Sequence, residues 1–250
     1  MTPTPTVPSR GVLSIVIPAY NEERFIGSLL DQIARVDLES LGIGRQVIVV
    51  DDCSIDRTPE ILKARSEVTY HRLERNSGKG AAVRAGLALA TGDYVIIQDA
   101  DLEYDPADYL PMLRALLAGE GDVVYGSRYL KAGARGRVAR LLGVRHANQS
   151  WGAYLGGRSL SLVARVCTGH YLTDTVTALK LFPRALLASL KLETTGFELD
   201  HEITAKMLAR GQRIVEVPIS YFPRSREEGK KIGLRDWFRG TRTFFRFRNG

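Results

Sequence analysis

The chain has 250 residues, 44% hydrophobic and 25% charged, the composition of a globular protein with interior enough for a substantial core. Thirty-five basic against 28 acidic side chains give a formal net charge of +7 and a pI near 9.5, which points to an anionic partner: nucleic acid, nucleotide or anionic membrane. No run approaches the ~18 consecutive apolar residues of a spanning helix, and nothing at the N-terminus resembles a signal peptide.

Residues 1–10 are rich in Pro and Thr without an apolar core and are expected to form a disordered leader. Short runs rich in β-branched residues follow at 12–17, 46–50, 68–73, 94–98 and 122–125. They alternate with segments 22–36, 59–65, 79–90 and 107–118, whose apolar residues recur at helical spacing. This alternation predicts an α/β fold: a mostly parallel central sheet with helices on both faces, which binds ligands beyond the carboxyl ends of its strands. Residues 131–172 are rich in Arg and Gly, then apolar with interruptions at Arg158 and Arg165. One or two amphipathic helices suited to a lipid surface are expected there. A strand at 177–182, a helix at 199–210 and a strand or strand pair at 213–222 complete a domain spanning 11–222. The remainder, 223–250, is a basic, aromatic tail. As a helix over 234–248 it gathers Leu234, Trp237, Phe238, Thr241, Phe244 and Phe245 on one face and Arg235, Arg239, Arg242 and Arg246 on another. That pattern suits a helix lying in the interface of an anionic membrane, the alternative being a helix packed by its aromatic face on the domain. Cys53 and Cys167 form neither a metal-ligand pattern nor a disulfide framework and read as small buried hydrophobes.

The polar residues cluster where the strands should end. The apolar run at 94–98 stops at Asp99-Ala100-Asp101-Leu102-Glu103. Alternate side chains of an extended chain point the same way, so Asp99 and Asp101 should project together. Two like charges so close call for a cation, and hard oxygen donors suit Mg²⁺ or Mn²⁺ held jointly with a diphosphate. Asp51-Asp52 ends the run at 46–50, and either carboxylate could accept from a base or ribose. Asp56 or Thr58, followed by Pro59, is placed to cap the next helix. Asn76-Ser77-Gly78-Lys79-Gly80 offers a tight turn and a cation near an anion, without the spacing of a phosphate loop.

Four stretches in order, beginning at Ser14 (SIVIPAYNEE), Val49 (VVDDCSIDRT), Asn76 (NSGKGAA) and Asp99 (DADLE), resemble the inverting family-2 glycosyltransferases. Gly126-Ser127-Arg128, the stretch from Asp174 (DTVTALKLF) and that from Glu216 (EVPISY) resemble the branch of dolichyl-phosphate mannose and dolichyl-phosphate glucose synthases. The resemblance implies a GT-A fold, an NDP-hexose donor such as GDP-mannose or UDP-glucose, a divalent metal and a polyprenyl-phosphate acceptor. It places Pro18, Tyr20, Glu22 and Asp52 in a base and ribose pocket, with Lys79 and Ala100 also on the nucleotide sugar. It places Asp99, Asp101 and Glu103 at the metal and diphosphate. Arg128 falls near the donor and Asp174 near the acceptor or sugar. The family's Arg-x-x-Gly-x-Ser-Lys is altered here by an insertion, so Arg224 with Lys230 or Lys231 is expected to meet the diphosphate. Asp-Asp-Gly-Ser of the family is Asp51-Asp52-Cys53-Ser54, and Cys-Gly-Phe-Lys is Thr177-Ala178-Leu179-Lys180, which should reshape the sugar pocket.

Inverting transfer needs a stabilised diphosphate leaving group and, for a hydroxyl acceptor, a base. Asp101, Arg128, Asp174 and Arg224 are the catalytic candidates. A polyprenyl phosphate is already an anionic nucleophile and needs cations to hold it, for which Arg145 is the candidate. A peripheral enzyme at the cytoplasmic face of the membrane is therefore expected. The rival is a soluble transferase acting on a saccharide or protein hydroxyl with Asp174 as base. A nucleic-acid-binding module is disfavoured because Asp51, Asp52, Asp99 and Asp101 would repel phosphates.

Overall fold

The computed structural model describes residues 10–130, 151–223 and 234–249. In chain order these form β1 (Gly11–Ala19), α1 (Ile26–Arg35), β2 (Ile43–Asp51), α2 (Thr58–Lys63), β3 (Val68–Arg72), α3 (Lys79–Leu89), β4 (Tyr94–Ile97), α4 (Tyr109–Leu117) and β5 (Val123–Ser127). There follow α5 (Trp151–Thr168), β6 (Lys180–Pro183), α6 (Arg184–Ala188), α7 (Leu199–Ala209), β7 (Ile214–Pro218) and α8 (Leu234–Phe247).

Among the described residues the strands form one seven-stranded sheet in the order β3-β2-β1-β4-β6-β5-β7. Every pairing is parallel except those of β6, which runs antiparallel to β4 and β5. The buried side chains alternate as a sheet covered on both faces requires. Ile15, Ile17, Val47, Val49 and Ile96 face a core shared with α1 and α4. Val16, Ile48, Val50, Val95 and Ile97 face one shared with α3 and α7. Helix α3 lies close to the sheet because it carries Gly86: a Cβ there would sit 2.5 Å from Val16 Cγ1.

Register brings the chemistry to one edge. Ala19 lies opposite Asp51 and Asp51 opposite Arg72, so β1, β2 and β3 end together. Because β6 is reversed, it begins at that same edge, with Lys180 opposite Ile97. Among the described residues the expected elements are present, with three boundary changes. The strand expected over 177–182 is β6, which starts only at Lys180. Helix α1 starts at Ile26, not residue 22, because the backbone N–H groups of Glu22 and Glu23 donate to Thr58 Oγ1 and Asp56 Oδ2. The final sheet segment is the single strand β7 plus an isolated bridge between Tyr104 and Tyr221.

The tail is a helix, as its spacing predicts, but its aromatic face is divided. Phe244 and Phe247 are buried against Ala164 of α5 and Ala205 of α7, and Trp237 Nε1 donates to Ser159 Oγ at 2.8 Å. Phe238 and Phe245 face outward beside exposed Arg235, Arg239, Arg242 and Arg246. Helix α5 in turn exposes Trp151, Leu155, Leu162 and Val166, which share one helical face. Its Arg158 is turned inward, donating to Thr173 O at 3.2 Å beside the rings of Tyr129 and Tyr171. Among the described residues no helix is long and apolar enough to cross a membrane. Cys53 and Cys167 are partly exposed, so neither is the buried hydrophobe expected.

Candidate active site

Three loops leave β1, β2 and β4 at this edge, and each holds one non-glycine residue in the left-handed region: Asn21 (φ 56°), Cys53 (φ 64°) and Leu102 (φ 58°). Such backbone persists only where surrounding contacts fix it. Here the fixing contacts join loop to loop. Asn21 N donates to Ser54 Oγ and Ile55 N donates to Asn21 Oδ1, both at 2.9 Å. Asp51 is fully buried, accepting from Ser54 N at 2.7 Å and Tyr70 OH at 3.1 Å, with Arg72 Nη1 at 3.2 Å. It belongs to the scaffold. Asp56 accepts from Thr58 N, as a cap would, and also from Glu23 N. Pro18 is buried and Tyr20 and Glu22 are half-buried on this platform.

Asp52, only 4% exposed, accepts from Ser77 N at 2.6 Å and from Gly78 N at 2.8 Å. It anchors the loop that carries Lys79. The glycines of that loop serve close packing. A Cβ on Gly78 (φ +94°) would lie 2.5 Å from Thr195 O, and one on Gly80 2.7 Å from Thr195 C. Ala81 N completes the seam by donating to Thr195 O. Glu202, fully buried in α7, holds the other side of the 193–195 segment, accepting from the backbone N–H groups of Glu193 and Thr194.

Lys79 thereby reaches the strand exit of β4. Its Nζ lies 2.7 Å from Asp99 Oδ1 and 3.3 Å from Asp200 Oδ2, while Lys180 Nζ lies 2.9 Å from Asp200 Oδ1. Four charges of alternating sign form a row from β4 to α7. Burial would lower the Lys79 pKa, but Asp200 and Asp99 outweigh it and raise it. Burial likewise opposes ionisation of Asp200, yet Lys180 and Lys79 hold its carboxyl down at about 2. Asp99 moves up, through burial first and then through Asp101 and Asp200, with Lys79 opposing. Next to Asp200, His201 is pushed down to about 4 by burial and by Lys180, so it is neutral at pH 7. Among the described residues its Nδ1 has no hydrogen-bond partner, and its ring lies 5.1 Å from that of Phe244 in α8.

Just past the end of β5, Arg128 faces Asp174. Arg128 Nε donates to Asp174 Oδ2 at 2.6 Å and Nη2 to Oδ1 at 2.7 Å, a buried bidentate pair. The guanidinium sits between the rings of Tyr129 and Tyr221, whose hydroxyl donates to Glu103 Oε2 at 3.0 Å. Glu216 fixes the strip below, accepting from Thr173 N, Thr173 Oγ1 and Asp174 N. Burial pushes the Glu216 carboxyl up, against those hydrogen bonds.

Glycosyl transferase family 2 matches residues 14–173, which contain the three strand-exit loops and Arg128 and end one residue before Asp174. The chain belongs to that family. It is 32% identical to a dolichyl-phosphate hexose transferase of Haloferax volcanii over 216 residues, covering 86% of this chain and 85% of the relative. It is 29% identical to a dolichol-phosphate mannosyltransferase of Pyrococcus furiosus over 228 residues, 88% of this chain but 59% of that protein's length. Among solved structures, glucosyl-3-phosphoglycerate synthase of Mycobacterium tuberculosis, in complex with Mn²⁺, UDP and glucosyl-3-phosphoglycerate, superposes with a TM-score of 0.64. Identity there is 22%, over 87% of this chain and 74% of that one. Mannosyl-3-phosphoglycerate synthase of Rubrobacter xylanophilus gives 0.63 at 20% identity, over 94% and 72%. The fold shared by this family-2 chain and these transferases is GT-A.

Three of the expected site residues of this family-2 chain have partners within the protein. Glu103 does not join Asp99 and Asp101: it is buried against Tyr221, and among the described residues no three acidic, His or Cys side chains converge to hold a metal. Asp174, expected beside acceptor or sugar, is fully buried with both carboxylate oxygens engaged by Arg128. Arg128 itself is paired and not a lone cation for the diphosphate. Arg145, Arg224, Lys230 and Lys231 lie outside the described residues. Asp200 was missed, because Leu199-Asp200-His201-Glu202 reads as the solvated start of a helix. The available signal was Lys180, a lone cation in an apolar strand that requires a buried partner.

Proposed function

We propose that this glycosyltransferase moves a hexose from a nucleotide sugar such as GDP-mannose or UDP-glucose to a polyprenyl phosphate, with inversion, at the cytoplasmic surface of a membrane. The names of its Haloferax and Pyrococcus relatives support the lipid-phosphate class of acceptor. The observation that carries the reading is the closed Arg128–Asp174 pair. A hydroxyl acceptor needs a base, and the acidic residue best placed by sequence is bound to an arginine and buried. A phosphate acceptor arrives ionised and needs none.

Pro18, Tyr20 and Glu22, on the platform held by Asn21, Ser54 and Asp56, would receive the base and ribose beside Asp52. Ala100, buried between the two aspartates, lets the chain pass close beneath the diphosphate. Asp99 and Asp101 are hard oxygen donors, and two carboxylates plus diphosphate oxygens are a sufficient set for Mg²⁺ or Mn²⁺. The metal, when bound, would offset charge developing on the leaving diphosphate. Lys79 adds a cation beside Asp99, and Arg224 with Lys230 or Lys231 would close over the same oxygens. The Arg128–Asp174 pair, clamped by Tyr129, Tyr221 and Glu216, forms a rigid wall beside the reacting sugar. Arg145 would hold the acceptor phosphate in line. The outward rows of Phe238 and Phe245 on α8, and of Trp151, Leu155, Leu162 and Val166 on α5, would rest in the lipid interface among the tail arginines.

The test is donor turnover with Mn²⁺ and polyprenyl phosphate, wild type against Asp101→Asn. Loss of labelled lipid in the variant and in EDTA, with an unchanged fold by circular dichroism, supports the reading. Turnover that persists in either refutes it.

A further inference from the structure

Asp200 lies on α7, outside every motif that marks the donor site, yet it completes the charge row that ends on Asp99. We propose that Asp200 is a positioning residue for the metal-binding carboxylates, acting through Lys79. The inference rests on the reading of Asp99 and Asp101 as the divalent-cation site.

The geometry gives Lys79 two acidic partners at unequal distances, Asp99 Oδ1 at 2.7 Å and Asp200 Oδ2 at 3.3 Å. With Lys180 on the other oxygen of Asp200, the row Asp99–Lys79–Asp200–Lys180 carries no net charge. Asp200 therefore shares the ammonium of Lys79 and keeps it from acting wholly on Asp99. The row is also held mechanically. Gly78 and Gly80 press the Lys79 loop against 194–196, and Glu202, two residues beyond Asp200, anchors that same segment to α7. Lys79 and Asp200 are thus set on two elements joined through one segment. Without Asp200 the row gains a positive charge, and Lys79 has Asp99 as its remaining partner in the row. A divalent cation at Asp99 and Asp101 would meet a repelling ammonium a few ångströms away.

The experiment is titration of Mn²⁺ alone, followed by the loss of the free-ion EPR signal, on the full chain. The proteins are wild type, Asp200→Asn, Lys79→Met, the double variant and Asp101→Asn. Asp200→Asn should weaken Mn²⁺ binding by about tenfold or more, and Lys79→Met should strengthen it by about the same factor. The double variant, with the row's net charge again zero, should lie within about threefold of wild type. A purely structural Asp200 would leave the double variant as impaired as Asp200→Asn, and that result overturns the proposal. Should Asp200→Asn fail to fold by circular dichroism, Lys79→Met decides alone: unchanged or weaker Mn²⁺ binding overturns it. Asp101→Asn separates the two claims. If it abolishes Mn²⁺ binding while Asp200→Asn and Lys79→Met change nothing, the metal site stands and the role of Asp200 falls. If wild type binds no Mn²⁺, either alone or as its GDP or UDP complex, both fall.

Discussion

The Arg128–Asp174 pair decides whether Asp174 is a base or a counter-ion, and a double-mutant cycle measures it. Asp174 is fully buried and Arg128 is 9% exposed. Arg128→Met leaves the carboxylate with two backbone donors, Arg128 N at 3.1 Å and Val176 N at 3.3 Å, in place of a bidentate cation. Removing one partner of a buried ion pair costs about 3–5 kcal/mol. For a chain of this size that lowers Tm by roughly 6–20 °C. Asp174→Asn strands the guanidinium between two tyrosine rings and should cost a similar amount. The double variant Arg128→Met/Asp174→Asn removes both charges, so it should lose at least ~2 kcal/mol less than the sum of the singles. Urea unfolding of the four proteins gives the cycle. Additivity within ~0.5 kcal/mol would show that the two groups do not support each other, and the argument that Asp174 is closed off as a base would fail.

His201 has a folded-state pKa of about 4, below its unfolded value near 6.5, so the folded chain binds a proton less readily there. Its contribution to stability is present above about pH 6.5 and is lost as pH falls through about 4, at most ~3 kcal/mol; His201→Leu should flatten unfolding free energy over that window, and an unchanged slope contradicts the assignment. Cys53→Gly relieves left-handed backbone and should raise Tm by about 2 °C in a thermal melt, net of the entropy of glycine, whereas a fall would show that the sulfur packs productively. Phe238→Asp/Phe245→Asp should reduce co-sedimentation with anionic vesicles several-fold while leaving the melt unchanged, because both rings face outward; equal binding removes α8 from the membrane surface.

The parallel strands were legible in the sequence because they are short runs rich in β-branched residues that end in polar loops, whereas β6, Lys-Leu-Phe-Pro, has none and starts three residues later than expected. The edge position of Asp99, Asp101 and Arg128 followed from the same pattern. What period cannot show is which backbone groups a side chain serves across the fold. Asp52, Asp56 and Thr58 bind backbone N–H groups of distant loops, so their contribution is tertiary and has no local signature. Gly78 and Gly80 imitate a phosphate loop, but their need is space for Thr195 and Gly196 on a segment more than a hundred residues away. Asp200 is the extreme case: a buried charge is indistinguishable in sequence from a solvated one until its partners, Lys79 and Lys180, are brought together by the reversed strand β6. The tail shows the limit of a helical wheel, which identifies apolar positions without saying which of them meet α5 and α7 and which face outward.

The most direct test of the account is acceptor chemistry. Labelled GDP-mannose and UDP-glucose are each incubated with the full chain, Mn²⁺ and either a polyprenyl phosphate or the matching polyprenol. The account predicts a labelled lipid from one donor with the phosphate and none with the alcohol, because Asp174, the base proposed for a hydroxyl acceptor, is bound to Arg128. Equal labelling of the polyprenol, or transfer to a soluble saccharide with the lipid phosphate left untouched, would contradict it.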